Sequence, residues 1–285
     1  MARLLRRLQN LDDRIIYLII GICILAPLVR PLNLPLSPGA MTVSAYDTID
    51  SLPPGSRILL ITEIAPGGES ELLPQLVVFH RHAMSKGLRI IYCSTNPASV
   101  PYLLNLTNEW NSEYSTEYGE QYVILPFMAG EESVVVQIGQ NFSALYESDY
   151  YCTPFKDMEI MDGIEGISDM DLVVSVGGGD LFRWVLRHIQ ASKGVPTVVG
   201  CTAVITSFVS PFYSSGQCAG ILSGLGGAAE YESLANLPGK ATAGMDAQSL
   251  GHLVLILMIL LGNAGTIAAR KTFVEIPPLK RGSSK

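Results

Sequence analysis

Basic residues are scarce through the middle of this 285-residue chain. Between Tyr46 and Asp246 stand nine Lys/Arg against 23 Asp/Glu, a net charge of −14, whereas the whole chain carries −7. A surface that acidic repels a phosphate backbone and anionic headgroups, which excludes nucleic-acid binding. Phosphate-loop signatures are missing as well. The turn Gly177-Gly178-Gly179-Asp180 lacks the Lys-Ser/Thr ending of a Walker A loop and is no GxGxxG fingerprint either. Histidine is rare: His80 and His82 stand two apart on a predicted helix and so diverge, while His188 and His252 stand alone. No metal site and no cofactor are expected. The five cysteines, at 23, 93, 152, 201 and 218, match neither a disulfide framework nor a metal spacing, and are expected as free thiols, most of them buried.

What the sequence does hold is two long apolar runs. Leu250–Ala269 is 20 residues without a charge, enough to cross a bilayer core of about 30 Å as a helix. Ile15–Val29 is shorter, and Arg30 at its edge can snorkel to the headgroups. No good cleavage site follows it, so an uncleaved anchor is expected. Basic residues flank both runs on their outer sides: Arg3, Arg6, Arg7 and Arg14 at one end, Arg270, Lys271, Lys280, Arg281 and Lys285 at the other. Positive flanks stay in the cytoplasm, which places both termini inside and the acidic middle outside the cell membrane. The expected domains are 1–45 (basic tail, a transmembrane helix near 15–31, and a spacer stiffened by Pro31, Pro35 and Pro38), 46–246 (an extracytoplasmic domain), and 247–285 (a transmembrane helix near 250–269 and a basic tail). Residues 2–11 group Leu4, Leu8 and Leu11 on one helical face, as in a short helix lying on the inner membrane surface.

The middle alternates strands with helices. Arg57–Thr62, Leu88–Cys93, Gln121–Phe127, Asp171–Val176 and Pro196–Cys201 read as buried strands. Helices are predicted over 71–85, 99–114, 131–146 and 180–190. This order implies an α/β fold: a doubly wound (Rossmann-like), mostly parallel sheet of about five strands, flanked by N- and C-terminal transmembrane helices. In such sheets, ligands bind beyond the C-terminal strand ends.

Four groups of residues are candidates for function. The loop Gly177, Gly178, Gly179 and Asp180 joins a strand to a helix, where glycines admit a ligand to the backbone and a helix start favours an anion. The plainer reading is a tight turn with Asp180 capping the helix. Glu63 follows the first strand and is expected to face the same crevice, with Glu69 and Glu71 loading the first turn of the next helix with favourable charge. Gly216, Gly220, Gly224 and Ala228 recur every four residues, which predicts a helix with a bare packing stripe for the domain's own sheet, a neighbouring subunit or a membrane helix. Near the second apolar run, Asp246 is expected to cap the helix and His252 to sit among headgroups or bond a neighbouring chain.

Two resemblances bear on function. The strand, triple glycine, helix, strand and Ser214-Ser215-Gly216 resemble the ClpP/signal-peptide-peptidase-A class of serine peptidases over about 50 residues. That resemblance implies Ser215 at a helix start as nucleophile and Gly178-Gly179 as oxyanion hole, although no base stands at a recognisable position. More widely, AYDTIDSLPPGSRILL, SGQCAGILSGLGGAAEYESL and GKATAGMDAQSLGHLVLILMILLGN resemble a family of uncharacterised prokaryotic two-pass membrane proteins with an α/β domain between the spans. It implies the architecture and no activity. The leading expectation is a membrane-anchored scaffold that binds a partner or small ligand, as a homo-oligomer or with other membrane proteins. The alternatives are a tethered serine hydrolase using Ser215 and an accessory subunit of a larger membrane complex.

Overall fold

The apolar runs of the middle region become the strands of one sheet. In the computed structural model, which describes residues 12–273, six strands pair throughout in parallel. They are β1 (Arg57–Glu63), β2 (Arg89–Ser94), β3 (Tyr122–Ile124), β4 (Leu172–Gly177), β5 (Thr197–Cys201) and β6 (Gly220–Ser223). Their spatial order is β3-β2-β1-β4-β5-β6, the doubly wound arrangement in which strand order reverses between β1 and β4. Sequence reasoning placed five of the six. It overextended β3, because 125–127 of the apolar run QYVILPF leave the sheet, and it missed β6.

Both sheet faces are covered, which is why the strands read as unbroken apolar runs rather than alternating ones. Along β1 the alternation survives in three dimensions: Ile58 and Leu60 pack on one face, Leu59 and Ile61 on the other. The first face is covered by α2 (Ala40–Asp50), α3 (Glu69–Ser85), α4 (Val100–Tyr114) and α8 (Gly224–Leu234). The second is covered by α5 (Glu132–Leu145) and by α6 (Leu181–Val185), which runs on as a single π turn over Leu186–Gln190. A smaller apolar cluster joins β5 and β6 to α7 (Thr206–Ser214). The larger of two compact units runs from Leu34 to Thr242, so the domain begins earlier than the expected residue 46 and takes in α2, half of which had been assigned to the spacer.

The second unit joins the segment ending at Asn33 to the segment beginning at Ala243. It contains α1 (Asp13–Val29) and most of α9 (Lys240–Phe273). Of these, α9 over Lys240–Ile267 is long and apolar enough to cross a membrane, and its apolar side chains are mostly exposed, as with Ile256 and Leu260. At 17 residues with Pro27 inside, α1 falls short of the ~20 that a span needs, so the expected first span is not confirmed. The helices touch: a Cβ on Gly251 would lie 3.6 Å from Ile24 Cγ1. Asp246 is not a cap. It lies inside α9, and its Oδ2 accepts the backbone N–H groups of Leu32 (2.7 Å) and Asn33 (2.9 Å) in the segment after α1. The readings of residues 2–11 and of the basic tail beyond 273 lie outside the described residues.

The two helical histidines diverge as expected, each into a different buried contact. His80 is fully buried, with Nδ1 2.5 Å from the Tyr92 hydroxyl, and its Nε2 has no partner. Burial, with Arg81 adding to it, pulls its pKa from 6.5 down to about 3. The folded state therefore holds His80 neutral while the unfolded chain protonates it below pH 6.5, so stability falls as pH drops through that window and goes on falling until about pH 3. Between pH 6.5 and pH 5 the loss from this one group is somewhat under about 2 kcal/mol. Urea midpoints at the two pH values, compared with His80→Phe, measure it. An unchanged pH slope in the variant would assign the acid sensitivity elsewhere.

Candidate functional site

The crevice at the strand-order reversal is built from the ends of β1, β4 and β5. Residues 58, 60 and 62 of β1 occupy one face, so Glu63, at the strand's last position, points with Leu59 and Ile61 to the other. Its sheet partner across the reversal is Gly177, the last residue of β4. A Cβ on Gly177 would approach Glu63 Cβ to 3.2 Å, and one on Gly179 would approach Glu63 Oε1 to 3.1 Å. The glycines of this turn therefore make room for the Glu63 side chain, which the sequence reading had placed in the same crevice without knowing the register.

Glu63 lies beside the start of α6, where the Leu181 backbone N–H acts on its carboxyl. Asp180 occupies the cap position but makes no capping bond; its Oδ1 instead pairs with Arg183 Nε at 2.8 Å. The expectation that Asp180 caps this helix is thus corrected. The Glu63 side chain fills the space beside Gly177 and Gly179, where an anion was anticipated. Burial pushes the Glu63 carboxyl up from its usual range, the Leu181 N–H opposes this, and the charges of Glu131 and Asp180 add to the rise. One oxygen, Oε2, is buried and has no hydrogen-bond partner.

On the facing wall, the loop Ala65–Gly68 leads into α3 through one tight turn over Pro66–Gly68. Glu69 and Glu71 do lie in the first turn of α3, yet each has a specific partner. Glu69 Oε2 accepts from the Tyr102 hydroxyl at 2.8 Å, and Glu71 Oε2 accepts from the Ala203 backbone N–H at 2.8 Å. The latter bond ties the segment after β5 to α3. Gly224 opens α8 at φ +58°, and a Cβ there would meet Glu71 Oε2 at 2.6 Å, so only glycine fits both the backbone and the neighbour. One turn further along α3, the buried Gln75 donates through Nε2 to the carbonyls of Cys201 (3.0 Å) and Gly224 (2.9 Å).

Between these walls lies an open crevice of about 480 Å³, within the usual size range of small-molecule sites. Glu63, Glu71, Asn96, Gly178, Gly179 and Thr202 supply its polar lining, with Leu72 and Val204 among the apolar side chains. Thr202, just beyond β5, is 7% exposed and its Oγ1 has no partner. Neither Thr202 nor Asn96 was singled out from sequence, although both follow strands and the rule that pointed to Glu63 points to them equally.

The other candidates do not converge on this crevice. Ser215 is the residue that ends α7, not one that starts a helix, and its hydroxyl donates to the Phe212 carbonyl at 3.1 Å. It precedes β6 and so lies toward the N-terminal edge of the parallel sheet, whereas Gly178-Gly179 follow the C-terminal end of β4. The arrangement that the peptidase resemblance implied is absent. The packing stripe is also corrected, because its four residues do not share a helix. Gly216 is a turn at φ +76°, Gly220 opens β6, and only Gly224, at the start of α8, and Ala228 share a helix. Among the described residues, no group of His, Cys, Asp and Glu is arranged to hold a metal ion.

No protein-family model, no curated protein and no solved structure matches this chain.

Proposed function

We propose that this chain is a membrane-anchored binding protein whose α/β domain holds a small ligand in the crevice beside Glu63. The observation that carries the reading is the crevice of about 480 Å³ at the strand-order reversal, lined by Glu63, Glu71, Asn96, Gly178, Gly179 and Thr202. It lies at the position where doubly wound sheets take ligands. No nucleophile–base pair stands among these residues, so the reading is binding rather than catalysis. A thermal-shift screen of the detergent-solubilised chain against a small-molecule library tests it. Stabilising compounds are expected to lose their effect in Gly178→Leu, whose new side chain enters the crevice between Leu72 and Thr202. A library with no stabiliser, or hits indifferent to Gly178→Leu, counts against the site.

Anchoring rests on α9, and sidedness on the charge distribution: basic termini held inside, an acidic domain outside. The domain carries its own reporter. Cys152 is exposed, Cys93, Cys201 and Cys218 are buried, and Cys23 is half-buried within α1. A membrane-impermeant maleimide added to intact cells is therefore expected to label the wild type and not Cys152→Ser. Labelling only after permeabilisation would reverse the orientation.

A further inference from the structure

We propose that Asn141 is an N-glycosylation site, modified after the domain has folded, and that the fold shields Asn105, the other match to the acceptor pattern. The pattern Asn-X-Ser/Thr occurs at Asn105-Leu106-Thr107 and at Asn141-Phe142-Ser143. A transferase that reads it must hold the asparagine amide and the hydroxyl two residues on together. Both groups therefore have to lie on one exposed side of the chain. Positions i and i+2 of a helix do not face each other, whereas in extended chain they share a face.

The two sites differ on this point. Asn105 and Thr107 both lie within α4. Asn105 is exposed, but Thr107 is buried, and its hydroxyl donates to the carbonyls of Leu103 (3.2 Å) and Leu104 (3.1 Å). The hydroxyl that an enzyme would need is turned into the packed side of the helix. At Asn141, by contrast, the helix breaks. Its φ of −154° and ψ of 69° interrupt α5 with one extended residue. The break replaces the helical period with a period of two: Asn141 is exposed, Phe142 is buried and Ser143 is exposed. Phe142 belongs to the apolar cluster under the second sheet face, and its ring lies 5.7 Å from that of Tyr146. The core thus anchors the middle residue of the motif while its neighbours project to solvent. Neither the Asn141 carboxamide nor the Ser143 hydroxyl has a partner among the described residues.

The reaction takes a glycan carried on a polyprenyl phosphate or diphosphate, delivered by a membrane transferase on the side where the domain lies. Asn141 Nδ2 attacks the anomeric carbon. A C–N bond forms, the anomeric C–O bond breaks, and its electron pair leaves with the lipid phosphate. The amide gives up one proton to a base of the transferase, and nothing is oxidised or reduced. The inference is independent of the crevice and rests on the outward orientation of the domain.

The test is mass spectrometry of the full chain purified from the membranes of the cells that naturally make it. Cleavage after Glu132 and Glu147 releases residues 133–147, which contain Asn141, while Asn105 leaves on a separate fragment ending at Glu109. Fragment 133–147 is expected to carry the mass of a glycan. That adduct should be lost in Asn141→Gln and also in Ser143→Ala, which keeps the asparagine. Ser143→Thr keeps the hydroxyl and should retain it. All three substitutions change exposed side chains, so the urea midpoint should stay in place. An adduct on Asn105, alone or beside one on Asn141, overturns the inference, because the helix would not have shielded it. So does an adduct that survives Ser143→Ala. A bare fragment from a chain whose Cys152 labels in intact cells overturns the glycan assignment and leaves the orientation standing. A bare fragment with Cys152 labelled only after permeabilisation removes both.

Discussion

Gly220→Ala is expected to destabilise the domain by about 3–5 kcal/mol, at or beyond the upper end of ordinary overpacking. A Cβ at Gly220 would lie 2.3 Å from Ala45 N and 2.4 Å from Ala45 Cα. These are backbone atoms of α2, so no rotamer change relieves the contact. The helix itself must move away from β6, taking the fully buried Ala45 and Ile49 with it. That movement also strains the bonds by which Glu230 Oε2 of α8 holds the start of α2: the Gly39 N–H at 3.0 Å and the Thr42 hydroxyl at 2.7 Å. Gly226→Ala is the control. It lies in α8 with open space where its Cβ would go, and there alanine is the better helix former by roughly 1 kcal/mol. Urea unfolding of both variants decides the matter. A Gly220→Ala midpoint equal to wild type would mean that α2 does not rest on this strand in solution.

The same glycine shows where the sequence was legible and where it was not. Strands β1, β2, β4 and β5 announce themselves because a strand buried on both faces needs five or six apolar residues in a row, and little else in a soluble core does. Strand β6 has four residues, the first of them Gly220. Its spacing to Gly216 and Gly224 mimics a helical stripe. Three separate demands produced that spacing: a left-handed turn at Gly216, the close pass of Ala45 over Gly220, and the left-handed start of α8 at Gly224. No periodicity argument separates three local causes from one helix. The meeting of Glu63 with Gly177–Gly179 was legible because strand ends in a parallel sheet converge by topology alone. The partner of Glu71 was not. Ala203 lies 132 residues from it, so only the folded register brings the pair together. Helix α2 stayed hidden for another reason, since it begins one residue after Pro38-Gly39 and offers only Thr42, Ala45 and Ile49 as its buried positions.

Glu232→Ala is expected to cost a further large amount, about 3–5 kcal/mol, through a helix start that lies beyond the end of its own helix. Helix α9 opens at Lys240 with Gly239 before it, so no Ser, Thr, Asp or Asn stands at the cap position to satisfy the first N–H groups. Glu232, 2% exposed near the end of α8, does that work from a distance. Its Oε1 accepts from the Ala241 N–H at 3.1 Å, and its Oε2 from the N–H groups of Gly239 (3.0 Å) and Thr242 (2.8 Å) and from the Thr242 hydroxyl (2.6 Å). Alanine would strand all four donors in a buried place. Glutamine keeps one oxygen and turns the other into a donor facing donors, so Glu232→Gln should fall between, at about 2–3 kcal/mol. Gly239 leaves no space for a substitute nearby, since a Cβ there would sit 2.6 Å from Glu232 Oε1. Urea unfolding ranks the three proteins, and amide exchange at Ala241 and Thr242 reports the cap itself. Both amides should exchange about a hundredfold faster, or more, in Glu232→Ala if the first turn of α9 opens. Unchanged exchange with an unchanged midpoint would show that the helix start does not depend on this carboxylate. The consequence reaches past stability, because the turn that Glu232 holds is the first of the one helix, among the described residues, long and apolar enough to cross a membrane. A carboxylate of the folded domain thereby fixes where that helix begins, in place of a capping residue in the helix's own sequence.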